Sequence, residues 1–209
     1  VNPRELVIAS RRNAMKQGSP ETAGNFWQSY SYYEIYKRRF DPIECMNIIT
    51  LHDPNHRVQG KISNLSGLTL RDSDLFWIPR LAATDWIFAR VWEAVSQYNS
   101  KYGFELAEDM GQAQLTRYQS GQHYDWHMDL GSQQMSLRKI TAVVELTSNN
   151  SRRGGGIEVF YGQSAENKVD LDIGDIVLFP SFVIHRASIV ESGTRWSLVF
   201  WMDGTRPLQ

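Results

Sequence analysis

The chain lacks several features that would have placed it in large protein classes. It has one cysteine, Cys45, in 209 residues; that excludes an internal disulfide or a thiolate zinc cluster and fits a reducing compartment. Any metal must therefore be held by histidine and carboxylate. No charge of one sign dominates: 22 Lys and Arg against 23 Asp and Glu give a formal net charge of −1. That balance provides no electrostatic footprint for a nucleic acid or an anionic membrane. No apolar run is long enough to cross a bilayer, and no basic-then-apolar leader opens the chain, although Val1 stands where Met is usual, as if something had been removed. There is also no internal repeat or low-complexity tract, which excludes repeat architectures. The expectation is a soluble, cytoplasmic protein that binds neither nucleic acid nor membrane.

What is present is an ordinary globular composition, 42% hydrophobic and 22% charged, enough for one sizeable core. Residues 1–25 are polar and broken by Gly18, Pro20 and Gly24, and read as an N-terminal arm; residues 26–209 read as a single domain. Within the aromatic stretch that opens it, Tyr32 to Tyr36 is β-prone. Asp41, Pro42 and Glu44 have the spacing of an N-cap, N1 and N3, so a helix follows, with Ile43, Met46, Ile48 and Ile49 as its apolar face and Cys45 packed there. Asp53 to Asn64 reads as a turn-rich linker, and Leu68–Arg71 and Leu75–Ile78 as short strands. Thr84 opens a second helix in which Trp86, Ile87, Arg90, Val91, Ala94, Val95 and Tyr98 share a face. Residues 41–102 are thus helical support. From residue 112 to 203 the pattern becomes short β-rich runs: Gln112–Tyr118, His123–Trp126, Arg138–Leu146, Gly156–Tyr161, Val169–Ile173, Ile176–Phe179, Val183–Ile189 and Arg195–Met202. With no βαβ alternation, this predicts an α+β fold, an antiparallel sandwich or barrel braced by helices. Gly154-Gly155-Gly156 is a local turn with no helix behind it to form a phosphate loop.

One constellation carries chemistry. His127-Met128-Asp129, then His185 and Arg195, combine two imidazoles and a carboxylate with a distant guanidinium. Two histidines and one carboxylate on one face leave an iron ion open positions for co-substrate and O₂. A His-x-Asp pair by itself is more often two unrelated polar residues. His185 in the apolar run Val183-Ile184-His185, with Arg195 ten residues on, tips the reading toward iron, because buried polar groups need a reason. His127 and Asp129, two apart on a strand, would share a face, and His185 would complete the set from a facing strand.

These residues sit in a longer pattern: Tyr118-x-x-Gly121-x-x-Tyr124-x-x-His127-x-Asp129, Arg138-x-x-Thr141, Gly155-Gly156-Ile157-Glu158-Val159-Phe160, Gly174-Asp175-Ile176-Val177-Leu178-Phe179-Pro180, His185 and Gly193-Thr194-Arg195. In order and spacing it resembles the prolyl 4-hydroxylase-like branch of the 2-oxoglutarate/Fe(II) dioxygenases over roughly residues 30 to 203. The resemblance implies a double-stranded β-helix, a jelly-roll barrel with the metal in its mouth. It also implies Fe(II) on His127, Asp129 and His185, 2-oxoglutarate as co-substrate, O₂ as oxidant, and ascorbate as a reductant that keeps the iron reduced. Arg195 would anchor the far carboxylate of 2-oxoglutarate with its planar fork; a structural ion pair is the other use for such a residue. Ser197, on the same strand face as Arg195, and Tyr118 would assist. The carboxylate of Asp129 argues against a halogenating relative.

One position departs from the pattern. Many relatives carry a Tyr or an amide where Glu145 stands, on the same face as Thr141. A carboxylate there would repel the co-substrate, be protonated by burial, or pair with Arg195 or Arg138. Arg138 faces substrate or is a solvated strand end; His123 is structural or substrate-facing and not a ligand; the tryptophans read as aromatic core, with Trp126 alone having the mouth as an alternative place. Arg71-Asp72-Ser73 is substrate-side or simply an exposed strand end. The resemblance implies hydroxylation of a peptidyl prolyl residue, with succinate and CO₂ as co-products. Oxidation of a free amino acid or small metabolite is the alternative, and a non-catalytic jelly-roll binding protein is the alternative of another class. Trp201 six residues after Arg195, where nucleic-acid demethylases carry another arginine, argues against that branch.

Overall fold

The computed structural model describes residues 32–107, 109–160 and 167–208, so the expected arm at residues 1–25 lies outside it, as does Tyr161. In chain order, β1 (Glu34–Tyr36) leads to α1 (Pro42–Thr50), then β2 (Val58–Gln59), β3 (Ile62–Ser63), β4 (Thr69–Asp72) and β5 (Asp74–Pro79). After α2 (Asp85–Asn99) come β6 (Gln112–Gln119), β7 (His123–His127), β8 (Arg138–Glu145), β9 (Arg153–Gly154) and β10 (Ile157–Val159). The chain ends with β11 (Asn167–Lys168), β12 (Ile176–Pro180), β13 (His185–Ala187), β14 (Val190–Ser192) and β15 (Thr194–Asp203).

All pairings among these strands are antiparallel. One sheet has the order β1-β12-β8-β15-β6-β5-β2, a second β11-β10-β13-β7-β4-β3, and β14 pairs with β9. Alternation along the first sheet gives it two different faces. Leu115, Ile140, Ala142, Val144, Leu198 and Phe200 point to the helices and form one core with Cys45, Ile48, Phe88, Val91 and Val95. The residues between them look the other way. Val143, Val177 and Phe179 meet Ile157, Val159, Val169, Leu171 and Val183 in a second core that includes β10 of the second sheet. The open end of the space between the sheets is where the polar residues gather.

The helices form where local chemistry predicts. At α1 the capping box is complete: Glu44 N donates to Asp41 Oδ1 at 2.8 Å and Asp41 N to Glu44 Oε2 at 2.9 Å. The buried stripe differs from the expected one, however. Cys45 and Ile48 are buried, with Ile49 partly buried against the same core, while Ile43 and Met46 are 66% and 60% exposed, because the stripe facing the sheet is centred on the i, i+3 pair Cys45 and Ile48. At α2, Phe88 joins the expected Ile87, Val91, Ala94, Val95 and Tyr98 in the core. Thr84 does not cap the helix. Its hydroxyl accepts from Leu81 N at 2.9 Å and donates to Pro79 O at 2.7 Å, tying the helix start to β5.

Two expected elements are corrected. The supposed linker Asp53–Asn64 contains a 3₁₀ turn, Pro54–His56, and the short strands β2 and β3. Val169–Ile173 is not a strand: β11 ends at Lys168, a last ladder bond runs from Val169 N to Ile157 O at 2.8 Å, and Leu171 is buried beyond it. Beyond that bond, burial alone produces the apolar alternation. Just before β12 the chain turns through Gly174 at φ +83°, where Phe40 N donates to Gly174 O at 3.1 Å and a Cβ would lie 1.8 Å from Phe40 O. Only glycine fits both demands.

Candidate functional site

His127 closes β7 and His185 opens β13, and the two are direct register partners in the second sheet. The expectation of a facing strand is thus corrected to a neighbouring one, which brings the ring centroids to 4.2 Å. Asp129 also departs from the expectation, since β7 ends at His127 and Asp129 sits in the bend beyond it. Its backbone is held there by Asp129 N and Leu130 N, which both donate to Ser181 O, at 3.0 and 2.9 Å. The carboxylate still reaches both imidazoles, at 3.7 Å from His127 Nε2 and 3.6 Å from His185 Nε2. One ligand atom from each of the three residues lies within 4.8 Å of the others.

The surroundings orient these ligands. His127 Nδ1 lies 2.7 Å from Asp125 O and His185 Nδ1 lies 3.0 Å from Val183 O. A carbonyl accepts only from N–H, so each Nδ1 carries the proton and each Nε2 presents its lone pair to the site. Thr141 Oγ1 donates to Asp129 Oδ2 at 2.8 Å and lies 3.0 Å from Ser181 Oγ. Burial would raise the Asp129 carboxyl, but His185, His127 and the Thr141 hydroxyl more than offset it and hold it below its ordinary value. Burial, with His185 beside it, pushes His127 from 6.5 down to about 3, against the pull of Asp129. At neutral pH the donor set is therefore an anion and an uncharged imidazole with no proton to expel, which suits a divalent cation. Thr141→Val is expected to weaken Fe(II) or Mn(II) binding by about 10- to 100-fold, the usual cost of losing an outer hydrogen bond to a ligand; titration calorimetry reads it, and unchanged affinity would refute the role of Thr141.

The same groups set an acid limit on the metal-free protein. The folded-state value of His127 is depressed, so its contribution to stability is complete above 6.5 and is lost as pH falls toward about 3. Asp129, also depressed, contributes above its ordinary 3.8 and less below it. Denaturant unfolding from neutral pH down to about pH 4 should show declining stability that is flatter in His127→Gln; equal slopes would count against it.

A β-bulge decides which residues flank the ligands. On β13, His185 and Ala187 are two apart, but their partners on β7, His127 and Tyr124, are three apart. The extra residue shifts the alternation, so Tyr124 and not His123 stands beside His127. The Tyr124 ring stacks on His127 at 3.5 Å between centroids, while His123 Nε2 lies 3.2 Å from Thr69 O, away from the three ligands.

From the ligands, a cleft of about 310 Å³ runs between the sheets. Its far wall is the inward face of β6, β8 and β15, with Tyr118, Val143, Arg195, Ser197 and Val199. Arg195 and Tyr118 are register partners, with the guanidinium carbon 5.7 Å from the ring centre. Arg195 is 2% exposed, and its Nη2 finds no hydrogen-bond partner among the described residues. Of the three fates open to Glu145, the geometry selects pairing with Arg195: Arg195 Nε donates to Glu145 Oε2 at 2.9 Å. Arg138 lies elsewhere, donating to Asp129 O at 3.2 Å and covering Trp201 at 4.0 Å.

The mouth is formed by Ile62, Trp77, Met135 and Trp201, with Arg71, Arg138 and Arg186. Trp201, on the inward face of β15, takes the mouth position that is the alternative place for Trp126. The Trp126 ring lies instead under Arg186, at 4.5 Å, and against Phe160. Arg71 is no exposed strand end: it is 9% exposed and lies over Tyr124 at 4.5 Å. Arg152 carried no sequence signal, yet its Nη2 lies 3.3 Å from Glu145 Oε2.

Comparison with known proteins agrees with this geometry. Residues 113–203 match the 2OG-Fe(II) oxygenase superfamily model. A PKHD-type hydroxylase of Janthinobacterium sp. (strain Marseille) is 31% identical over 105 residues, 45% of this chain and 46% of that protein. One from Synechococcus sp. (strain CC9605) is 27% identical over 100 residues, 48% and 45% of the two chains. The chain thus spans under half the length of the curated relatives it matches. Among solved structures, a Trichoplax adhaerens prolyl hydroxylase in complex with a hypoxia inducible factor peptide fragment superposes with a TM-score of 0.68 at 15% identity, covering 90% of this chain and 94% of that one. A Pseudomonas putida prolyl-4-hydroxylase gives 0.61 at 18%, covering 84% and 94%. Residues 113–203 thus resemble the 2OG-Fe(II) oxygenase superfamily, in sequence its PKHD-type hydroxylases and in fold the solved prolyl hydroxylases.

Proposed function

We propose that this protein is a 2-oxoglutarate- and Fe(II)-dependent hydroxylase of a peptidyl prolyl residue, releasing succinate and CO₂. The observation that carries the reading is the shared cleft. Three ligand atoms within 4.8 Å of one another and a buried arginine with a free donor open into the same space. His127, Asp129 and His185 would hold the iron; Arg195, helped by Tyr118 and Ser197, would hold the far carboxylate of 2-oxoglutarate. When bound, the iron and co-substrate supply the oxidising power to replace a C–H bond with C–OH. The chain itself orients the imidazoles through Asp125 O and Val183 O, fixes the carboxylate through Thr141, and lines the co-substrate end with apolar Val143 and Val199 that keep water out. The two sheets would form the walls of a double-stranded β-helix, within a single domain of residues 26–209.

The prolyl substrate is supported by the mouth, where Ile62, Trp77, Met135 and Trp201 offer an apolar, aromatic surface to a pyrrolidine ring and Arg71 and Arg138 offer donors to peptide carbonyls. The two structural relatives described above are prolyl hydroxylases by name. No helix among the described residues is long and apolar enough to cross a membrane, and the lone buried Cys45 fits a cytoplasmic setting. The test has two steps. Anaerobic addition of Fe(II) and 2-oxoglutarate should give a visible metal-to-ligand charge-transfer band, and its absence from folded protein would sink the oxygenase reading. Proline-containing peptides and free amino acids, incubated with iron, 2-oxoglutarate, ascorbate and air, should then separate the substrate classes by which of them gains one oxygen in mass.

A further inference from the structure

Arg195 does not stand alone at the closed end of the cleft. It and Arg152 converge on the same oxygen of Glu145, Arg195 Nε at 2.9 Å and Arg152 Nη2 at 3.3 Å, with all three side chains no more than 4% exposed. Arg152 Nη1 also donates to Gly154 O, which fixes the guanidinium to the turn entering β10. That turn is shaped for the purpose: a Cβ on Gly155, at φ +71°, would lie 2.6 Å from Val190 and 3.4 Å from Arg195 Cδ. Three atoms of the cluster find no hydrogen bond among the described residues: Arg195 Nη2, Glu145 Oε1 and Arg152 Nε. Arg195 faces the cleft that holds the three ligands, whereas Glu145 and Arg152 line a separate polar cavity of about 370 Å³.

The charges matter because the group to be bound is an anion. Arg195 with Glu145 alone is a neutral pair, and the Glu145 carboxylate would repel an incoming carboxylate at short range, where low dielectric magnifies the effect. Two arginines around one glutamate leave a net positive charge. Sharing also turns Glu145 toward its arginines through one oxygen and leaves Arg195 Nη2 free as a donor. We propose that Arg152 is a positioning residue for the co-substrate, which neutralises Glu145 so that Arg195 can present charge and a free donor to a ligand carboxylate. This rests on the function proposed above, and it accounts for how a chain with glutamate at position 145 can hold a dicarboxylate.

The experiment is titration calorimetry of 2-oxoglutarate into the Mn(II)-loaded protein, with Arg152→Gln, Glu145→Gln and the double variant, and Mn(II) affinity measured separately. Arg152→Gln should weaken 2-oxoglutarate binding by about tenfold or more, as loss of one partner of a buried charge pair does, with Mn(II) affinity unchanged. The double variant should recover to within about threefold of the wild type, because a neutral amide at position 145 needs no counter-charge. A structural role for Arg152 makes no such recovery. Unchanged 2-oxoglutarate affinity in Arg152→Gln, or failure of the double variant to recover, overturns the proposal while leaving the oxygenase reading standing. Should Arg152→Gln not fold, Glu145→Gln alone decides: binding at least as tight as wild type supports the proposal, and weaker binding overturns it. A wild type that binds no 2-oxoglutarate overturns both.

Discussion

Asp129→Ala is expected to lower 2-oxoglutarate turnover by about a thousandfold or more, the several kcal/mol that an intact metal centre contributes to a transition state. The reason lies in charge and geometry together. Asp129 is the one carboxylate among the three ligands and lies 3.7 and 3.6 Å from the two imidazole Nε2 atoms, so its loss leaves two imidazoles on neighbouring strands, with no anionic donor, for a dication. The fold should survive, because the bend is held by backbone bonds to Ser181 O that an alanine retains. Succinate formation with equimolar iron, beside a circular dichroism spectrum, measures both. Turnover within tenfold of wild type would remove Asp129 from the metal site, and with it the reading of the cleft.

The largest effect on stability is expected far from that cleft, at Gly174→Ala. The residue holds φ +83°, and a Cβ would lie 1.8 Å from the backbone oxygen of Phe40; a backbone atom cannot swing aside as a side chain does. Either the turn that leads into β12 opens, breaking the 2.8 Å bond from Gly174 N to Glu145 O, or β1 and its following loop are displaced. Either way the cost should be about 3 kcal/mol or more, from strain and lost hydrogen bonds combined. Urea unfolding gives the number directly, and a midpoint within error of wild type would show that the turn is more compliant than its geometry implies.

Legible in the sequence are the groups whose chemistry is unusual for their surroundings. His185 and Arg195 stand out as polar residues in apolar strands, and both are buried and face the cleft. Asp41, Pro42 and Glu44 announce a helix start because capping is a matter of four adjacent residues, and the full capping box forms. What stays hidden depends on backbone register or on distant partners. The bulge that substitutes Tyr124 for His123 beside His127 is an extra residue in a pairing, invisible until the partner strand is known. Glu145 is visibly out of pattern, but its choice between Arg195, Arg138 and protonation is a question of tertiary distance. Arg152 leaves no trace at all, because an arginine in a polar loop carries no pattern. The run Val169–Ile173 shows the converse: its alternation is real, and beyond the bond from Val169 N to Ile157 O it reflects burial and not a ladder.

The burial of Cys45 has a practical consequence. It is the single thiol in the sequence, fully enclosed on α1, and burial with neighbouring acidic groups pushes it up to about 12. Alkylating reagents attack thiolates, so the native chain should be almost inert toward maleimides without any cysteine having to be removed. A single exposed position exchanged for cysteine, for instance Met135 at the mouth of the cleft, would then carry a spin label or fluorophore uniquely, and the distance from that label to a paramagnetic ion on His127, Asp129 and His185 would report whether the mouth closes when a ligand is added.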